Sequence, residues 1–416
     1  MRPPDDPAWA AAETAARQSY GKLIAFLAAR TRDVAGAEDA LSEAFAAALA
    51  SWPRTGVPKH PEAWLLTAAR RRGIDVERRR QTSAAAAPQL RMMAQEAAAA
   101  VDNETLPDER LSLMFACAHP AIEAGVRAPL ILQTILGFDA ATIASAFLVS
   151  PGTMGQRLVR AKNRIRDTGI PFRIPDRTDL GERLYAVLEA IYATFAEGWT
   201  DPVGTETRRR NLAGEGIWLG RLVAQLMPGE AEALGLLALM LFAEARRTAR
   251  RDLAGEYVPL AEQDTGLWDA ALICEAEALL HKANTLEGTG RYQLEAAVQS
   301  AHVARRLSGK TDWPAIALLY EALSRLSGSP VVAINRAVAI AEANGAAAGM
   351  RELDALASDT RLADYQPYWA ARAGLLAQLG RTTEADAAYQ RAIGLERDEA
   401  VRRFLKQRRA LLGLWP

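Results

Sequence analysis

The chain has 416 residues, half of them hydrophobic but only 6% aromatic, and its 50 Lys and Arg balance 50 Asp and Glu. That length exceeds one small domain and suggests two or three, and an alanine-rich apolar fraction favours helix and close helix packing, so the chain reads as all-α. Zero net charge excludes a uniformly basic nucleic-acid binder, so any such function has to come from local charge.

Residues 7–30 and 34–51 read as two helices, the second closed by Trp52 and Pro53. In the second helix Glu38, Asp39 and Glu43 lie within six residues, with Asp39 and Glu43 one turn apart and Leu41 and Phe45 on another face. An acidic stripe beside apolar residues suits docking onto a basic helix, against the simpler reading of a solvated face. Arg54 to Pro61 form a Pro- and Gly-containing loop, and residues 62–80 a third helix. Residues 54–80 hold eight cations (Arg54, Lys59, Arg70, Arg71, Arg72, Arg78, Arg79, Arg80) against three acids, Glu62, Asp75 and Glu77. Aromatics interleaved with cations suit an opened DNA strand, whose bases stack while its phosphates are held. Trp64 has two readings, core or stacker, and its apolar neighbours Leu65 and Ala68 favour core. Asp75 sits one turn from Arg71 and Arg79 and can simply pair with either.

Residues 82–105 have little hydrophobic periodicity and read as a linker with some helix. A second module runs from 106 to 168. Ile143, Phe147 and Leu148 recur at helical spacing. Ser150 is a good N-cap and Pro151 a good first helical residue. The helix that follows carries Arg157, Arg160, Lys162, Arg164 and Arg166, while Leu158, Ala161 and Ile165 keep an apolar seam. A packed back and a front of long donors are what a DNA recognition helix needs; the plainer alternative is a solvated basic helix. Thr153, Gln156, Arg157, Arg160, Lys162 and Arg164 are the candidate DNA contacts. Gly155 stands inside this helix, at a cost of about 1 kcal/mol relative to alanine.

Residues 169–179 hold two prolines and read as an extended connector. From 180 to 416 the chain is helical again, with breaks at 199–204 and 227–230. The most apolar run, 233–243, is shorter than the ~20 residues that span a bilayer and reads as a buried core helix. Trp369, Gly380, Ala385, Tyr389 and Ala392 stand at tetratricopeptide-like positions, and Gly328, Ala333, Ala337 and Ile340 repeat part of the pattern 52 residues earlier. That offset is not the ~34-residue period of regular repeats, which points to an irregular helical array.

Two segments together resemble a known family. AEDALSEAF at 37–45 with PEAWLLTAARRRGIDVERRR at 61–80 is similar to region two of bacterial RNA polymerase sigma factors of the extracytoplasmic-function class. The helix-turn-helix at 143–166 is similar to their region four. Residues 211–250 and 259–269 resemble the long C-terminal extension of one sigma-factor group that ends in tetratricopeptide-like helices. The resemblance implies two small helical domains, 1–81 and 106–168, the second a helix-turn-helix, and a tetratricopeptide-like domain at 180–416. It implies core RNA polymerase and promoter DNA as partners. Glu38, Asp39, Ser42 and Glu43 then grip the clamp of the largest polymerase subunit, with a further contact to the flap of the second-largest. Arg54, Lys59, His60, Trp64, Arg70, Arg71, Arg72, Arg78, Arg79 and Arg80 serve the downstream, minus-ten element. Thr153, Gln156, Arg157, Arg160, Lys162 and Arg164 serve the upstream, minus-thirty-five element. Ser42 departs from the family, which often has Gln there, and Gly155 stands where it usually has a polar residue. Two other readings are a helix-turn-helix regulator with a sensor domain and a helical scaffold that binds no DNA. The first would lack the acidic docking helix and the arginine-rich helix; the second would leave both basic segments unexplained.

The residues indicate no catalytic or metal site and no cofactor. His60, His119, His281 and His302 are scattered, and Cys117 with His119 lacks the second close pair a zinc site needs. Gly309, Lys310 and Thr311 lack the upstream glycine of a phosphate-binding loop. Cys117 and Cys274 occupy apolar helical contexts, where small buried thiols are expected, not a secreted disulfide framework. The opening MRPPDDPAW lacks the pattern of a signal peptide, so a cytoplasmic, non-membrane protein is expected.

Overall fold

The computed structural model describes residues 7–80, 108–147, 149–199 and 207–413, and the regular elements among these are all helices, without a named strand. The chain divides into two compact units, Met1–Asp201 with Glu206–Gly216, and Pro202–Thr205 with Ile217–Pro416. The expected linker at 82–105 and Leu148 lie outside the described residues.

In the first unit α1 (Pro7–Thr31), α2 (Val34–Thr55) and α3 (Pro61–Arg80) pack on one another. Leu23, Ile24, Phe26, Leu41, Leu65 and Leu66 make their common core. Asp33 caps α2, its carboxylate accepting from the Gly36 N–H at 3.0 Å. Pro53 does not close α2 as its sequence suggests. It enters the last turn, and the helix ends at Gly56, whose φ of 83° suits glycine.

Next come α4 (Arg110–Cys117), α5 (Ala124–Leu136), α6 (Ala140–Ala146), α7 (Pro151–Asp167) and α8 (Arg177–Trp199). The expected connector is irregular from 170 to 176, yet the first unit does not end there. Helix α8 packs back onto α4 and α5, and Arg183 donates to the Phe115 carbonyl at 2.7 Å. Apolar residues of α8 such as Val187, Leu188 and Ile191 are buried, so the connector links parts of one folding body.

The two sequence modules also pack on each other. Helix α1 lies against α4 and α5, and α2 against α7. The α1–α5 approach is close enough that a Cβ added to Gly21 would stand 2.2 Å from the Ile135 carbonyl oxygen. Cys117 is buried there beside Thr134, 3.5 Å away, and burial pushes its thiol up to about 12.

Helix α9 (Thr207–Leu226) leads into the second unit. There α10 (Ala231–Glu244) is buried over nearly its whole length, as its apolar run predicts, beneath α11 (Ala270–Asn284) and α12 (Arg291–Val303). Glu232 caps α12 by accepting from the backbone N–H groups of Tyr292 at 3.1 Å and Gln293 at 3.0 Å. Between α10 and α11 runs a segment of short 3₁₀ turns with one antiparallel bridge, Arg251 to Tyr257. Cys274 on α11 is exposed, against the expectation of a buried thiol, because it falls on the outer side of a helix that buries Ile273 and Ala276.

A short turn of helix, α13 (Arg305–Ser308), is followed by α14 (Trp313–Leu326), α15 (Pro330–Asn344), α16 (Ala346–Ala355), α17 (Gln366–Gln378), α18 (Thr382–Leu395) and α19 (Glu399–Ala410), packed chiefly as neighbours in sequence. Ala385, Tyr389 and Ala392 are buried in a core shared with Leu376 and Leu405, against which Trp369 packs. Gly380 turns α17 into α18 at a φ of 70°. No described helix is long and apolar enough to cross a membrane.

Candidate nucleic-acid interface

Helix α7 begins as its sequence predicts. The Ser150 hydroxyl accepts from the Thr153 N–H at 3.2 Å, and Pro151 takes the first turn. Met154, Leu158, Ala161 and Ile165 are buried on one side. On the other, Thr153, Gln156, Arg160 and Arg164 are exposed and Arg157 is half-buried. The Thr153 hydroxyl also meets the Ser150 hydroxyl at 2.8 Å, so contact with a ligand there has to share it with the cap. Arg160 donates through Nε to the Gln156 carbonyl at 3.3 Å, which leaves its outer nitrogens at the surface.

Lys162 departs from the expected set. It is 9% exposed and pairs with Glu38 of α2. The reason is helical spacing: Lys162 follows Leu158 by four residues and precedes Ile165 by three, which places it on the packed side. Glu38 departs likewise, half-buried and turned toward α7, with its Oε1 buried and unpartnered. Burial raises the Glu38 pKa; Lys162 opposes this, and Asp39 and Asp33 add to it. The remaining acidic face is open, with Asp39, Ser42 and Glu43 exposed at three-and-four spacing along α2.

Arg54, expected in the loop, is exposed in the last turn of α2, Lys59 and His60 are exposed on the α2–α3 loop, and Arg71 is exposed on α3. Trp64 is half-buried, edge-on to the buried Trp52 with ring centroids 5.5 Å apart, and so acts as a core residue here. Arg70 is half-buried with its guanidinium carbon 4.9 Å from the centre of the Phe26 ring. The side chains of Arg72, Arg78, Arg79 and Arg80 lie outside the described residues.

One surface residue of α7 was missed in the sequence. Val159 is 57% exposed, between Gln156 and Arg160 on the open side. The signal was available, because an apolar residue off the Leu158–Ala161–Ile165 seam has no core to enter. An exposed methyl-bearing side chain among donors suits contact with a thymine methyl group. Gly155 beside it has open space where a Cβ would stand.

Known proteins bear on these faces. Residues 16–83, which contain α2, α3 and most of α1, match the model of sigma-70 region 2. Residues 183–284 match a family of unknown function, DUF6596. The uncharacterized protein R00370 of Rhizobium meliloti (strain 1021) is 41% identical over 383 residues, which cover 91% of this chain and 89% of that protein. No solved structure matches the chain. The sigma-70 region 2 supports a sigma-factor role in transcription initiation, with core RNA polymerase and promoter DNA as the partners it implies. From near-complete alignment at this identity, the chain belongs to one family with R00370.

Proposed function

We propose that the protein is a sigma factor of the extracytoplasmic-function class that binds core RNA polymerase and directs initiation at particular promoters. The reading rests above all on the match to sigma-70 region 2 over helices that leave Asp39, Ser42 and Glu43 exposed on α2 and Arg54, Lys59, His60 and Arg71 exposed beside it. In this reading the acidic face docks on the polymerase clamp, and the basic loop and α3 serve the minus-ten element. Helix α7, capped and basic on its open side, reads the minus-thirty-five element through Gln156, Arg157, Arg160 and Arg164, with Thr153 and Val159 at its edge. Lys162 and Glu38 belong to the packing between modules. The second unit is a tetratricopeptide-like extension that supports or regulates initiation. The chain's own contribution is binding energy and order of assembly; the bond-making belongs to the polymerase.

The test is the double variant Asp39→Arg, Glu43→Arg. Both side chains are exposed, so helicity should be unchanged. Two reversed charges at a complementary interface oppose docking strongly. Co-purification with core polymerase and run-off transcription should both be lost; unchanged co-purification would end the reading.

Upstream recognition has its own test. Arg160→Ala should weaken promoter binding by about 1–3 kcal/mol and relax preference at one position if the side chain reads a base edge. A phosphate contact would instead weaken all sequences alike. A panel of promoter variants separates the two, and no change across the panel would remove α7 from the interface.

A further inference from the structure

The second unit gathers charge that its own chain does not neutralise. Arg246 follows α10 and Arg305 opens the turn after α12; both are half-buried. Arg246 donates through Nε to the Phe242 carbonyl at 3.2 Å and through Nη2 to the side-chain oxygen of Gln299. Arg305 donates through Nη1 to the Ala261 carbonyl at 2.7 Å and through Nη2 to the Gln263 carbonyl at 3.0 Å. All four acceptors are neutral, and among the described residues neither guanidinium pairs with a carboxylate.

The acids nearby are committed elsewhere. Glu244 pairs with Arg247 at 2.8 Å, Glu295 with Arg291 at 2.7 Å, Glu262 with Arg408 at 2.6 Å, and Asp398 with Arg251. Around the two arginines stand further groups of one kind. Trp268 is buried, its ring centre 5.3 Å from the Arg305 guanidinium carbon, and its indole N–H has no acceptor. His302 lies edge-on to Trp313, ring centroids 5.4 Å apart. Burial, then the charges of Arg246 and Arg305, pull its pKa down to about 4, so it is neutral at pH 7. Burial and the cations Arg250 and Arg305 pull Arg246 itself down to about 10. Tyr320, held protonated with its pKa raised to about 12 by burial and Glu295, keeps a hydroxyl proton to donate.

Half-buried positive charge is costly unless paired, and a native chain usually supplies the pair. Here the pair is missing for two guanidiniums whose charges act on each other and on His302, one of them over the ring of a tryptophan with an unsatisfied indole N–H. We propose that Arg246 and Arg305, with the Trp268 N–H, form a binding site for a small oxyanion, the phosphate or carboxylate of a soluble metabolite. Guanidinium suits such groups because its planar donors meet two oxygens at once. The three residues come from separate stretches, so an anion bound there ties the α10 end, the 3₁₀ segment and the α12 end together. The site needs only residues of the second unit and stands whether or not the sigma-factor reading does.

The full-length protein tests this with inorganic phosphate, sulfate and acetate, each matched in ionic strength by chloride. A ligand that binds only the folded state raises its unfolding midpoint in a saturable way. Phosphate or acetate should do so and chloride should not, and whichever acts names the oxyanion class. Arg305→Gln should weaken the effect at least tenfold, Arg246→Gln likewise, and Arg305→Lys should retain part of it. A bound anion should also bring the His302 titration, followed by NMR, back up towards its ordinary range. If Arg246→Gln does not fold, Arg305→Gln and the His302 titration decide. Equal shifts in chloride and in every oxyanion would overturn the proposal. So would an oxyanion shift that survives Arg305→Gln with His302 unmoved.

Discussion

Lys162→Met should destabilise the first unit by about 3–5 kcal/mol, the cost of leaving one member of a buried ion pair alone. Methionine keeps the length and apolar stem of the lysine, so packing along the α7 seam changes little. What remains is the half-buried Glu38 carboxylate, facing α7 with one oxygen buried and already unpartnered. The pair itself is not a source of stability, because burial raises the Glu38 pKa even with Lys162 present. The double variant Glu38→Leu, Lys162→Met should therefore recover most of the loss. A pH dependence follows with a definite sign. A carboxyl whose folded pKa is raised takes up its proton more readily in the folded state, so stability falls as pH rises through that window. Without Lys162 the window moves higher, and the penalty of Lys162→Met should shrink on acidification. Hydrogen exchange of the α2 and α7 amides at several pH values checks both claims. A single variant as stable as wild type at neutral pH would show that the pair is open in solution.

Gly21→Val should be comparably severe. Its Cβ would stand 2.2 Å from the Ile135 carbonyl oxygen and 3.1 Å from that residue's Cα, and both are backbone atoms of α5 that cannot turn aside. Helices α1 and α5 must separate, at about 3 kcal/mol or more. Gly21→Ala isolates the contact, because in an unobstructed helix that change gains up to about 1 kcal/mol. At residue 21 it should lose stability, whereas Gly155→Ala on α7, with open space around it, should gain. Thermal unfolding of the three variants gives the answer, and a stabilising Gly21→Ala would mean that the α1–α5 contact is absent in solution.

Local features were legible in the sequence, and contacts between distant segments were not. The Ser150 cap, the Pro151 start and the Leu158–Ala161–Ile165 seam of α7 are short-range patterns, and each stands where the residues put it. The buried α10 follows from its unbroken apolar run. Lys162 was misread because its charge outweighed its position, though its spacing from Leu158 and Ile165 marked the packed side. Its partner is 124 residues away, and no periodicity encodes such a distance. The two prolines of the segment expected as a connector at 169–179 leave 170–176 irregular, but α8 already starts at Arg177 and returns to α4 and α5 through tertiary packing that turn composition does not reveal. The arginine cluster of the second unit was invisible for a related reason: residues 246, 268 and 305 belong to no common motif.

The packing of α2 against α7 and the close α1–α5 approach at Gly21 together set an equilibrium constant. They hold the first two modules in one arrangement, so any ligand that requires the modules apart binds only the separated fraction. Its apparent Kd is the intrinsic Kd divided by that fraction. Two such ligands share the expense of separation: the first to bind spends it, and the second arrives with its affinity raised by the same factor, in either order. Cooperativity between polymerase and promoter would then be written in the packing of α2 against α7, without any contact between the two ligands.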